Sequence, residues 1–189
     1  MKRFAIALLA GALMIPAGMS ARDKDDKAQH SDPYIPGASN ESRIAKEVRH
    51  QLVMLPYYGI FDDLGFTVNG DTVTLVGEVT QPVLKFSAEN VVKSVEGVTN
   101  VIDNIEVLPL SPNDDRIRRA VFNAIYRDPA LSTRYGFSAL PSIHIIVRNG
   151  NVRLEGVVAD TFDKNLIGVR ANAVPGAFSV QNDLQVEGK

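Results

Sequence analysis

The sequence predicts an α+β protein: two tandem αββαβ sandwiches, each a three-stranded mixed sheet with two helices on one face. Three observations lead there. Gly77 and Gly97 are 20 residues apart, and so are Gly156 and Gly176. An Asn-Gly dipeptide precedes the first glycine of each pair, Asn69-Gly70 in NGDTVTLVGEV and Asn149-Gly150 in NGNVRLEGVV. The second glycine of each pair opens GVTNVIDNIEV or GAFSVQNDLQV, and a valine closes each, Val107 and Val186. Matching segments at fixed spacing mark a duplicated unit of about 70–80 residues.

In the first copy, Ile44, Val48, Leu52 and Leu55 recur at helical spacing, Asn40 and Ser42 are both suited to cap the start, and Pro56 stops the run. Residues 66–68 and 73–79 alternate as strands, and Asn69-Gly70 supplies the positive φ of a tight hairpin turn. Thr80 and Pro82 open a second helix with Leu84, Ala88, Val92 and Val95 on one face, and Gly97 ends it. Val101, Ile105 and Val107 then lie on one face of a third strand.

The second copy repeats the order. Ser111, Pro112 and Asp114 start a helix with a cap, a preset φ and a carboxylate near the positive end of the dipole. Ile117, Val121, Ala124 and Ile125 form its apolar stripe. Residues 143–148 and 152–158 form the hairpin. Leu166, Ile167, Ala171 and Val174 line the second helix, and Val180, Leu184 and Val186 end the sheet. A helical crossover allows a parallel relation between the second and third strands, so the sheet should be mixed, and the helices must share one face because so small a sheet cannot bury itself. The junction LPLSPN, residues 108–113, is short enough that the copies should touch.

The first residues are laid out as a secretory signal peptide over 1–21: Lys2 and Arg3, an apolar run from Phe4 to Ile15, then small residues around Gly18, Ser20 and Ala21. That run is shorter than a comfortable bilayer span. Residues 22–40, RDKDDKAQHSDPYIPGASN, are charged and without apolar period, as in a flexible linker. The two sandwiches then occupy 41–110 and 111–188. The 20 basic and 22 acidic residues leave a net charge of −2, which gives no support to a nucleic-acid partner. The absence of cysteine excludes disulfides, thiolate nucleophiles and a lipidated N-terminal cysteine.

The V-x-L-x-G strands, Val73 to Gly77 and Val152 to Gly156, each followed by a helix, a glycine and an alternating V-x-x-x-I/L-x-V strand, resemble the BON domain. The likeness spans about 41–110 and 111–188. It implies an exported or envelope-associated, periplasmic, non-enzymatic protein that binds phospholipid surfaces or other envelope components, with a role in envelope integrity or stress tolerance. The second copy departs from the pattern at Ala177, where valine is usual, and in a longer loop over 128–142 that includes Tyr135, Phe137 and Leu140.

Candidate chemistry is sparse. His144 sits in SIHIIV, opposed by alternation to Ile143 and Ile145, and reads as a hydrogen-bonded or exposed strand histidine. With His30 and His50 it forms no metal cluster, and no cofactor site is readable. Asp62-Asp63 reads as part of a turn. Gly70, Gly77, Gly97, Gly150, Gly156 and Gly176 never form a G-x-G-x-x-G loop and suit turns and helix ends. No nucleophile, base or metal constellation can be assembled, so an enzyme is not expected.

One feature stands out. Residues 41–110 carry five basic against ten acidic side chains, whereas 111–189 carry ten against eight. Much of that gain lies on the first helix of copy two: Arg116, Arg118, Arg119 and Arg127. At 100° per residue, Phe122 and Tyr126 fall beside Arg118 and Arg119, away from the apolar stripe. Aromatic rings flanked by guanidinium groups suit an anionic phospholipid surface. The alternatives are that the other module or the 128–142 loop covers the pair, or that it meets another envelope protein as part of a scaffold or self-assembly unit.

Overall fold

The computed structural model describes residues 42–136 and 141–187. The expected signal peptide and linker, with Phe137 and Leu140 of the long loop, lie outside the described residues. In the first module α1 (Arg43–Val53) leads to β1 (Asp63–Asn69), β2 (Thr72–Val79), α2 (Pro82–Lys93) and β3 (Asn100–Val107). In the second, α3 (Pro112–Tyr126) and α4 (Pro129–Tyr135) precede β4 (Ile143–Arg148), β5 (Asn151–Val158), α5 (Thr161–Asn172), β6 (Ser179–Asn182) and β7 (Gln185–Val186).

Each sheet is mixed. β1 pairs antiparallel with β2 and β4 with β5; β2 pairs parallel with β3, and β5 with β6 and β7. The apolar stripes read from the sequence form two separate cores. Val48, Leu52, Leu84, Ala88 and Val92 of the helices cover Phe66, Val73, Leu75 and Ile105 in the first. Ile117, Val121, Ile125, Ile167 and Ala171 cover Ile143, Ile145, Leu154 and Leu184 in the second. Ser42 and Ser111 cap their helices, accepting from the backbone N–H of Ala45 and Asp114.

Four details differ from the sequence expectation. The long loop contains α4, capped by Asp128, whose carboxylate accepts from Ala130 N and Leu131 N, with Pro129 in the first turn. Leu131 carries it into the second core. The last strand of that sheet is interrupted, giving four strands instead of three. Leu154–Asn182 and Val157–Gln185 keep one register across the gap, where the Asn182 side chain accepts from Leu184 N. The Asn-Gly dipeptides occupy different turn positions: Asn149 and Gly150 are the two central residues of one turn, whereas in the other Asn69 already pairs with Thr72 and Gly70 comes first.

The fourth concerns Gly77 and Gly156, which lie inside β2 and β5 and not at turns or helix ends. They oppose Leu64 and Ile143, with φ of 125° and 110°. A Cβ on either would sit 2.1 Å from the Asp63 carbonyl oxygen or 2.2 Å from that of Ser142. The neighbouring backbone therefore leaves room for glycine alone. Gly77→Ala and Gly156→Ala are each expected to destabilise their module by about 2 kcal/mol or more in urea unfolding, because backbone must move to relieve the contact.

Candidate binding surface at the module joint

Alternation would leave every second residue of β4 exposed, yet Ile143, His144, Ile145, Ile146 and Val147 are all buried. Ile143, Ile145 and Val147 face the second core. The other face is closed by the first module through the strap between α1 and β1. Tyr58 stacks on His144 with ring centroids 5.8 Å apart, and Ile145 N–H donates to the Ile60 carbonyl at 2.7 Å. Ile60 and Phe61 pack against the second core. His144 is thus wholly buried in the joint and not an exposed strand histidine. Asp62 holds the strap in shape: its buried carboxylate accepts from Gly59 N, Thr80 N and Thr80 Oγ1. Asp63 opens β1 and faces Arg153. The pair is structural, as the sequence suggested.

The charge difference between the modules is used at the same joint. Arg153 pairs with Glu78, with Asp63 at 3.8 Å and with Glu155 at 2.7 Å. Arg148 pairs with Glu78 at 2.8 Å and with Glu106. Burial, the largest influence on the Arg153 guanidinium, acts to lower its pKa. The facing carboxylates, Glu78 first, outweigh burial, and the pKa is raised on balance.

On α3 the arginines divide into two sets. Arg118 is buried; it donates to Asp115 and, across the core edge, to the Val147 carbonyl at 2.7 Å. Arg116 reaches the Pro175 carbonyl at 3.4 Å and Asn113, as Arg43 reaches Glu96 in the first module. These two guanidinium groups therefore tie the helix to the rest of its module. Arg119 and Arg127 are exposed and make no ion pair among the described residues. Phe122 is 37% exposed, stacks on Tyr126 at 4.7 Å and meets Phe61 of the strap edge-on at 6.2 Å. Tyr126 is half-buried, and burial pushes its hydroxyl up to about 12. Asp114, expected from the sequence to meet the helix dipole, also fixes the hairpin turn, because its buried carboxylate accepts from Asn149 N and Gly150 N. No spacing in the sequence announces that contact.

A model of the BON domain matches residues 40–109 and again 113–188. The chain belongs to the BON domain family. Two solved structures are similar to it: a C-terminal domain of CdsD, the structural protein of the type III secretion system of Chlamydia trachomatis, and a second CdsD structure from the same organism. They are 13% and 14% identical, cover 78% and 77% of this chain and 98% and 93% of their own, and have TM-scores of 0.28. No curated protein matches the chain significantly. Family membership supports a non-enzymatic, envelope-associated module. No described helix is long and apolar enough to cross a membrane, and the described residues hold no cluster suited to a metal ion.

The second BON domain also differs from the first in α4, which ionic contacts hold in place. Asp128 pairs with Arg170, while Arg134 reaches Asp160 and the buried Asp163, which also accepts from the Tyr135 hydroxyl. The Arg170 side chain holds Asp128 below the usual 3.8, and the Asp163 backbone N–H, followed by Arg134, does so for Asp160.

Arg153→Glu is expected to destabilise the protein by about 3 kcal/mol in urea unfolding, since it sets a fourth carboxylate against Asp63, Glu78 and Glu155. Adding Glu78→Arg should recover part of that loss. Because Asp128 and Asp160 are depressed in the folded state, their stabilisation is full above 3.8 and is lost as pH falls through their lower folded values. Limited digestion with pepsin should therefore cut within α4, at Leu131 or Tyr135, before it cuts either sheet.

Proposed function

We propose that this tandem BON-domain protein is an exported, non-catalytic module that associates weakly with anionic phospholipid through the second BON domain, in support of envelope integrity or stress tolerance. One observation carries the reading. Phe122, Asn123, Tyr126 and the C-cap Arg127 lie three, four, seven and eight residues after Arg119, so they share a face of α3 and its end. On that face the two guanidinium groups are exposed and unpaired among the described residues, and a ring stack lies between them. The other arginines of the second domain, Arg116, Arg118, Arg134, Arg148, Arg153 and Arg170, are each engaged within the protein.

The chemistry suits a headgroup layer. Phosphates accept from guanidinium groups while aromatic rings enter the interface. Each basic residue near an anionic surface contributes about 1 kcal/mol, so Arg119 and Arg127 support weak, salt-sensitive binding. Arg116 and Arg118 add to the local field, not to direct contact.

The chain is expected to float with phosphatidylglycerol vesicles at low salt and not with phosphatidylcholine vesicles. Arg119→Ala combined with Phe122→Ala should weaken partitioning about tenfold. Equal binding to neutral vesicles, or no loss in the double variant, would count against this surface. A protein captured from envelope extracts at high salt, with no vesicle binding, would favour the scaffold reading instead.

A further inference from the structure

The strap that closes the joint has a second side. Tyr58, Ile60 and Phe61 face the second BON domain, but Met54 and Tyr57 stand 67% and 73% exposed. Tyr57 also has a φ of 72°; the only other non-glycine residue with positive φ among the described residues is Asn149. Asparagine tolerates that region, whereas a bulky tyrosine in it is strained. Burial does not offset the strain, because the ring lies in solvent. An exposed aromatic held in an unfavourable backbone conformation is a reason to look for a contact outside the fold.

The strap is continuous with the α3 face. Phe61 meets Phe122 edge-on, and Phe122 stacks on Tyr126, so a line of rings runs from the first BON domain onto the second. Met54 is the C-cap of α1, immediately before the strap. The Ile60–Ile145 hydrogen bond ties the strap to the second domain, and the ion pairs of Arg148 and Arg153 tie the first sheet to it.

We infer that Met54 and Tyr57 enter the same anionic phospholipid interface as Phe122 and Tyr126, so that the contact surface is built from both BON domains. The inference rests on the lipid reading of α3. Tyrosine suits the headgroup level, with an apolar ring and a wet hydroxyl, and a methionine side chain adapts to the irregular boundary below it. Arg119 and Arg127 supply the anion contact on the α3 side of that surface. Because the joint links the patches, engaging the second adds affinity without a second loss of translational freedom. Tandem architecture then has a physical use: one domain carries the charge, and the other extends the apolar footing.

The chain contains no tryptophan, so Tyr57→Trp and Phe122→Trp each place a single fluorescent reporter in the full-length protein. The probe is a vesicle of phosphatidylglycerol and phosphatidylcholine with brominated acyl chains. Blue shift and bromine quenching are expected at both positions. Quenching at 122 alone overturns the composite surface and leaves the α3 reading standing; quenching at neither position overturns both; quenching at 57 alone also overturns the shared interface. Tyr57→Asn supplies a second measurement, since asparagine accepts the left-handed backbone. Its melting temperature should be unchanged or raised, while vesicle partitioning falls on the order of fivefold. Unchanged partitioning in that folded variant overturns the inference.

Discussion

The first module's seat on the open face of β4 and β5 governs much else in the molecule. A sheet with helices on one side leaves its other side to water, and an alternating strand pattern normally reflects that. Here β4 is apolar or aromatic on both faces, and both are covered, one by α3 and α5 and the other by the strap and the end of the first sheet. The buried His144 and Ile146 would be exposed in an isolated second module. The strap is in turn shaped by Asp62, whose carboxylate satisfies two backbone donors and a hydroxyl.

Part of the charge difference between the copies is paired at that joint. The excess acid of the first and the excess base of the second meet as Glu78, Glu106 and Asp63 against Arg148 and Arg153. Such pairs contribute to specificity of placement as much as to stability, since half-buried charges tolerate few other partners. They also narrow the functional question. Once the arginines engaged inside the protein are set aside, the basic character of α3 reduces to Arg119 and Arg127, beside the ring pair that Phe61 touches from the first BON domain.

Several structural details carried local signals that a closer reading of spacing recovers. Asp128-Pro129 is a cap followed by a first-turn proline, and it begins α4 within what reads as loop. Arg43 and Arg116 hold corresponding positions in the two copies and reach the carbonyls just before Gly97 and Gly176, so the repeat itself points to a structural role for Arg116. The glycines inside β2 and β5 read as turn glycines because a V-x-L-x-G run ends there in sequence, while the pairing continues through them. Asp114 gave no such signal. Its partners, Asn149 N and Gly150 N, are 35 and 36 residues away and are brought to it only by the fold.

The sequence alone determined the duplicated αββαβ unit, the two cores and the pairing order within each sheet, because those follow from periodicities of two and near four residues and from turn chemistry within one copy. Tertiary structure decided how the copies sit against each other, and with that which side chains remain available. Arg118 and Arg119 are neighbours of one type; one is buried against the Val147 carbonyl and the other faces solvent. The choice depends on contacts between segments far apart in the chain, for which no local period exists.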